Sequence, residues 1–504
     1  MRERLGAEFG QEIVEYLVRP RLTNNLETSF AAMMKINRAH VVMLAEERII
    51  DGAVAATLLR CLRQMEAEGA SCVPLDPAKE DLYFNLEAEV IRRIGAEVGG
   101  QMHTGRSRND LYATLQRMGA RGHLLRLAAM AHALRARLLE VAGRHRETVM
   151  TGYTHLQPAQ PITLGHYLSG VADALARDAR RLLAAWGSLN LSPLGAGALA
   201  TTGFPIKRER TARLLGFDAL LENSLDAVAS RDYLPDILFA LTSAALTVGR
   251  LNQDLHLWYS HEFGFIDISD DLAGTSSIMP QKKNPMPIEH LKAKSAHLMG
   301  ALMATLATVK GTSFMHCREL NGESVHPLTD AVHEAEAVLR LADAVLRGLR
   351  VNEARMLSAA SRNFSTLTDL ADALVREHGF SFRVAHQVVG ALARQAVESG
   401  LQSSQEIDCE MVEGVIARVA GRNVTLSREL LSECLDPTRN VQRRAVTGGP
   451  APAEVARMLE RAERELAADE ALRARYEAQL QAADERLLEA GAKVIADAGE
   501  AATR

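Results

Sequence analysis

The stretch Ile237-Leu238-Phe239-Ala240-Leu241-Thr242-Ser243-Ala244-Ala245-Leu246-Thr247-Val248-Gly249-Arg250-Leu251-Asn252-Gln253-Asp254-Leu255-His256-Leu257-Trp258 decides the fold. Its apolar residues at 237, 238, 241, 244, 245, 248, 251, 255 and 258 recur every three or four positions, the period of an α-helix. Residues 111–146 contain no proline, and Leu115, Met118, Leu125, Met130, Leu134 and Leu138 make a second stripe. Residues 164–186, 288–310 and 328–349 repeat the pattern. Helices of over 20 residues exceed the usual globular length. Helices this long, each with an apolar stripe, pack side by side as a bundle. They carry more apolar face than one chain covers, so oligomerisation is expected.

Composition agrees. Of 504 residues, 47% are hydrophobic, only 4% are aromatic and 24% are charged, a bias that favours helix over strand. The size allows two to four domains or one elongated body. The pattern divides into an N-terminal helical domain at 1–110, a long-helix domain at 111–361 and a C-terminal helical domain at 362–504. Short helices are expected at 42–50, 54–65 and around 80–94, and a compact cap at 366–377, 381–399 and 409–419. The Ala/Glu/Arg-rich stretch 454–489 reads as a solvated helical tail. A net charge of −5 does not point to nucleic acid, and no nucleic-acid partner is expected. Five cysteines without a CxxC pair suggest reduced thiols in a cytoplasmic protein. The opening Met1-Arg2-Glu3-Arg4-Leu5 lacks a signal peptide's apolar core, and no uninterrupted apolar run approaches the ~20 residues of a membrane span.

Three polar connections interrupt the helices. Gly274-Thr275-Ser276-Ser277-Ile278-Met279-Pro280-Gln281-Lys282-Lys283-Asn284-Pro285 combines three hydroxyls, two ammonium groups and two amides, as an anion site requires. A helix resumes near Ile288, so the loop sits at a helix N-terminus, where carboxylates are favoured. Most polar loops are merely solvated surface. In His103-Thr104-Gly105-Arg106-Ser107-Arg108-Asn109-Asp110, arginines, serine and asparagine suit a carboxylate clamp, and the same residues suit a helix N-cap. The third is Thr151-Gly152-Tyr153-Thr154-His155-Leu156-Gln157-Pro158-Ala159-Gln160-Pro161, whose lone histidine by itself reads as structural. His103 and His155 lack the close ligand spacing of a zinc site, so no metal and no cofactor is expected.

These motifs, in this order, resemble the fumarase/aspartase superfamily and, within it, the argininosuccinate lyase family. Leu194-Gly195-Ala196-Gly197-Ala198-Leu199-Ala200, Asn223-Ser224-Leu225-Asp226-Ala227-Val228 and Leu435-Asp436-Pro437 with Gly448-Gly449-Pro450 match as well, and the likeness spans about residues 20–460. The resemblance implies an all-α, three-domain fold whose central helices form a twenty-helix bundle in a homotetramer. It implies composite active sites, with one motif from each of three subunits. The implied reaction is elimination of fumarate from an N-substituted L-aspartate, argininosuccinate above all, with a small dicarboxylate as substrate. Ser276 matches the catalytic base, His155 the donor of a proton to the leaving nitrogen, and Glu289 the residue that orients it. Ser107, Arg108, Asn109, Thr154, Gln157, Lys282, Asn284 and Met279 match substrate-binding positions. The 274–285 loop is expected to close over substrate.

Three departures stand out. Gly274-Thr275 reverses the usual Thr-Gly order before the serine. Tyr83 stands where the family commonly has histidine. In the stretch Met315-His316-Cys317-Arg318-Glu319-Leu320-Asn321-Gly322-Glu323-Ser324, Asn321 replaces a family Gln and Ser324 a family Lys. The succinyl half is intact and the amine half altered, as in a sibling lyase for another N-succinyl amine such as ethylenediamine-disuccinate. A structural, crystallin-like role is the third reading; an idle site has no need of this donor set.

Overall fold

Five long helices run side by side through the middle of the chain: α4 (Arg108–Arg144), α5 (Leu164–Ala184), α6 (Tyr233–Tyr259), α7 (Met286–Lys310) and α8 (His326–Arg347). The computed structural model that shows them describes residues 7–503; the charged opening stretch 1–5 lies outside the described residues. Each neighbour reverses direction from α4 through α8. Thus Tyr167 near the start of α5 meets Asp254 near the end of α6, while Asp178 further along α5 meets Ser243 and Thr247. Arg137 of α4 meets Asp343 of α8, which runs parallel to it. The facing stripes bury Leu134, Leu138, Leu168, Leu175, Leu238 and Leu291 completely. Each such side chain contributes about 1.5–3 kcal/mol. By length and composition α6 would also cross a membrane, but half of its apolar window is buried inside the protein.

The N-terminal cluster holds α1 (Arg19–Glu46), α2 (Gly52–Glu68) and α3 (Leu82–Ile94) around Met33, Met34, Leu58, Tyr83 and Leu86. The sequence predicts only short helices here, yet α1 has 28 residues. Its second half is buried almost all round, at Met33, Met34, Ile36, Asn37, Ala39, Val41 and Val42. A helix covered on every side shows no apolar stripe to read. The cap follows expectation: α9 (Leu367–His378), α10 (Phe382–Glu398), α11 (Cys409–Ala420) and α12 (Arg428–Leu435) enclose their own core around Leu370, Val388 and Ile416.

The tail is not a solvated appendage. Helix α13 (Pro452–Thr503) has 52 residues, roughly 80 Å at 1.5 Å rise per residue. It buries Leu459, Ala462 and Leu466 in the bundle and Leu487 in the N-terminal cluster. An ionic seam fixes its register. The fully buried Arg135 of α4 donates to Asp469 Oδ2 at 3.0 Å, and Arg180 of α5 donates to Asp469 Oδ1 at 3.0 Å and to Glu465 Oε2 at 3.0 Å. Asp469→Ala leaves the buried Arg135 guanidinium with only the Ala462 carbonyl and the more distant Glu465 as partners. Urea unfolding is expected to show a loss of about 3 kcal/mol, the lower end for breaking a buried pair; Glu489→Ala on the same helix, at an exposed position, is expected to change stability by less than about 0.5 kcal/mol.

Candidate active site

The loop before α7 is built around Ser276. Short strands β3 (Gly274–Thr275) and β4 (Lys283–Asn284) pair antiparallel, Gly274 opposite Asn284 and Thr275 opposite Lys283. The pairing uses backbone only and Thr275 points to solvent, so the reversed Gly-Thr order is accommodated. The backbone N–H groups of Ile278 and Met279 both donate to Ser276 Oγ, at 3.3 and 3.0 Å. Two donors aimed at one hydroxyl oxygen favour its ionised form. The lysine pair divides its tasks. Lys283 Nζ is bound by Asp267 at 3.0 Å and Asp270 at 2.9 Å, and its carbonyl accepts from Tyr259 Oη at 2.8 Å, which ties the loop to the end of α6. Lys282 is exposed and makes no ion pair among the described residues. Asn284 Nδ2 donates to Thr275 O at 3.3 Å, and Glu289 lies exposed in the first turn of α7.

His155 sits at the tip of a hairpin. Strands β1 (Val149–Thr154) and β2 (Gln157–Thr163) pair Thr154 with Gln157, leaving His155 and Leu156 as a two-residue turn with φ 54° and 57°. Such a turn needs φ > 0 at both central residues and usually takes Asn-Gly. Here it carries His and an exposed Leu, a strain met at functional sites. Thr154, His155 and Gln157 all face solvent. The sequence showed only a connection here, because two prolines mask the strand pattern.

The clamp motif does both things its sequence allowed. Ser107 caps α4, its Oγ accepting from Asn109 N at 3.2 Å, and Asp110 Oδ1 accepts from Ser107 N at 3.1 Å. Asp110 Oδ2 accepts from Gly195 N and Gly197 N, both at 2.9 Å. Those glycines have φ of 86° and 63°, which turns their N–H groups toward the carboxylate. Burial pushes the Asp110 carboxyl up to about 6. Asn109 Nδ2 donates to Ala198 O at 3.1 Å. Arg108 Nη1 is held by Asp81 Oδ2 at 2.5 Å and Glu80 Oε2 at 3.1 Å, with its guanidinium 4.0 Å above the Phe84 ring. The local sequence shows Asp110 only as a helix-start residue and gives no role to Glu80 or Asp81; the partners of Glu80 and Asp110 lie up to 238 residues away. Beneath the clamp, Tyr83 Oη donates to Glu87 at 3.1 Å and lies 2.8 Å from His103 Nδ1. Burial and the Arg106 charge hold His103 down to about 4.

One chain does not bring these groups together. Ser107 lies where α4 begins, and α4 starts at the foot of α6: Gln116, in the third turn of α4, accepts from Arg231 Nε at 2.9 Å and donates to Asn321 Oδ1 at 3.0 Å. The Ser276 loop lies where α6 ends. A helix of 27 residues separates them by roughly 40 Å. The hairpin shares the loop's end of the bundle, yet no hydrogen bond or ion pair among the described residues joins His155 to Ser276, Lys282, Asn284 or Glu289.

Residues 15–300 match the Lyase family and residues 364–442 the argininosuccinate lyase C-terminal family. "Argininosuccinate lyase 1" of Shouchella clausii is 43% identical over 482 residues, 96% of this chain and 97% of that protein. The chain belongs to the argininosuccinate lyase family. Argininosuccinate lyase of Methanothermobacter thermautotrophicus is 42% identical, covering 84% of this chain and 90% of its own. Among solved structures, EDDS lyase in complex with formate superimposes with a TM-score of 0.87 at 34% identity, covering 98% and 97% of the two chains. As a member of the argininosuccinate lyase family, the chain is a carbon–nitrogen lyase that eliminates fumarate and has the fumarase/aspartase fold.

His103 supplies a pH test. Unfolded, it takes a proton near pH 6.5; folded, not until about pH 4. Between these values the unfolded state binds more protons, so His103 makes the fold lose stability as pH falls from 6.5 to 4. His103→Gln is expected to show a shallower loss than wild type across that window in urea midpoints, with no difference in slope above pH 7.

Proposed function

We propose that the protein cleaves argininosuccinate to arginine and fumarate at sites assembled from three copies of the chain. The observation that carries the reading is Ser276 Oγ receiving two backbone N–H groups, at 3.3 and 3.0 Å. A serine is a poor base unless its alkoxide is stabilised, and prepositioned amides do this without reorganisation. The Ser276 alkoxide removes the proton from the carbon beside a succinyl carboxylate. Lys282 and Asn284, at the positive N-terminal end of α7, hold that carboxylate as charge builds on it. Met279 completes the loop through its backbone amide. Ser107, Arg108 and Asn109 hold the other carboxylate. His155, oriented by Glu289, protonates the leaving nitrogen as the C–N bond breaks; Thr154 contacts a carboxylate and Gln157 the amine. Imidazole titrates near neutral pH, which the donor role requires.

The ~40 Å between Ser107 and Ser276 in one chain supports shared sites, since a succinyl group cannot span it. The bundle also leaves Phe239 and Leu246 of α6 and Met299 and Met303 of α7 between 49% and 62% exposed. Faces like these suit a second copy of the chain, and four copies give the twenty-helix bundle of a homotetramer. A cytoplasmic location accords with five free cysteines.

A second reading changes only the amine. Asn321, where the family has glutamine, is bound to Gln116 and Arg231, and Ser324, where it has lysine, is buried. An amine half altered this way suits a relative that, like EDDS lyase, releases a different amine. Fumarate release followed by ultraviolet absorbance separates the two. The expected result is turnover of argininosuccinate, reduced about 10²- to 10⁴-fold in kcat by Ser276→Ala. Turnover of ethylenediamine-disuccinate alone would establish the second reading, and Ser276→Ala at wild-type rate would remove the serine from the chemistry.

A further inference from the structure

Glu80 occupies a backbone conformation that side chains avoid. Its φ is 72° and its ψ −53°, and Asp81 N donates to Lys79 O across it at 2.8 Å. This is a γ-turn of the strained hand, which glycine adopts without steric conflict. A carboxylate is kept there instead, and both of its oxygens are used. Oε2 accepts from Arg108 Nη1 at 3.1 Å; Oε1 accepts from Arg318 Nη2 at 3.0 Å. Arg108 belongs to the clamp motif, and Arg318 lies 238 residues from Glu80, in the segment that departs from the family pattern. Asp81 caps α3 with one oxygen and holds Arg108 with the other. Glu80 thereby bridges the two guanidinium groups, and Asp81 gives Arg108 a second hold. Arg318 spends one N–H on Glu80 and keeps its other donors toward solvent, its side chain being 56% exposed.

We propose that Glu80 is a positioning residue that yokes Arg108 to Arg318, and that Arg318 is a specificity-determining residue that reads a carboxylate on the leaving amine. This rests on the proposed lyase site and adds its amine side. The strained turn presents Glu80 between the two arginines; a relaxed turn would aim the side chain elsewhere. Arg318 offers a forked, always-charged donor set, the geometry that carboxylates take. With Ser324 in place of the family lysine, Arg318 supplies the positive charge on this side.

The test compares fumarate release from argininosuccinate and from its agmatine counterpart, which lacks only the α-carboxylate. Wild type is expected to prefer argininosuccinate. Arg318→Met is expected to raise KM for argininosuccinate about ten-fold or more, the scale of a lost charged hydrogen bond, and to bring the kcat/KM ratio of the two substrates toward one. Glu80→Gly relieves the turn while deleting the carboxylate. It is expected to keep or raise the melting temperature and still raise KM for both substrates, a combination that a purely structural role would not give. Wild-type KM values and substrate ratio in both variants would overturn this inference alone. Wild-type protein that releases fumarate from neither argininosuccinate nor ethylenediamine-disuccinate would overturn the proposed function beneath it.

Discussion

Helix rise governs this molecule. Each residue of an α-helix advances the chain by 1.5 Å, and the bundle helices carry 21 to 37 residues. Groups placed at opposite ends of such a helix stay apart whatever the loops do. The clamp at Ser107 and the loop at Ser276 are fixed at opposite ends of one rigid bundle, held apart by the stripe that makes α6 a core helix. Rigidity brings precision in return. A loop anchored at Tyr259 and Lys283 has its position set by the packing of α6 and α7. On the proposed assembly, other copies bring the missing ends alongside.

Polar side chains inside the helical layers do the aligning. Arg135 and Asp469 set the register of α13 against α4 and α5. Asp110 ties the start of α4 to the 195–197 turn through three backbone N–H groups. Left without partners these groups would be among the most destabilising in the protein, so each admits one arrangement of its neighbours. At the substrate end, Glu80 and Asp81 hold Arg108 in the same way.

Much of this was legible beforehand, for definite reasons. The bundle helices announce themselves because each keeps one face toward the core, and helix boundaries fell within a few residues of the periodicity. Helix α1 did not, being covered on all sides, and in α13 the few buried leucines are spread thinly among charged residues. The Ser276 loop and the clamp were visible as polar residues at a density no packing requires. The hairpin under His155 was not, since its prolines suppress the strand signal and its turn lacks glycine. Glu80 and Asp110 were out of reach, because local sequence does not carry contacts made across 28 to 238 residues.

Shared sites make one demand that a single-chain site does not. If Ser276 and His155 at each site come from different chains, a protein lacking one and a protein lacking the other can repair each other. Ser276→Ala and His155→Asn would each be prepared as an inactive protein, dissociated, mixed and reassembled. Fumarate release should return in the mixture, because some reassembled sites draw a native Ser276 and a native His155 from different chains. Mixed assemblies that form and stay inactive would contradict a site that draws Ser276 and His155 from different chains.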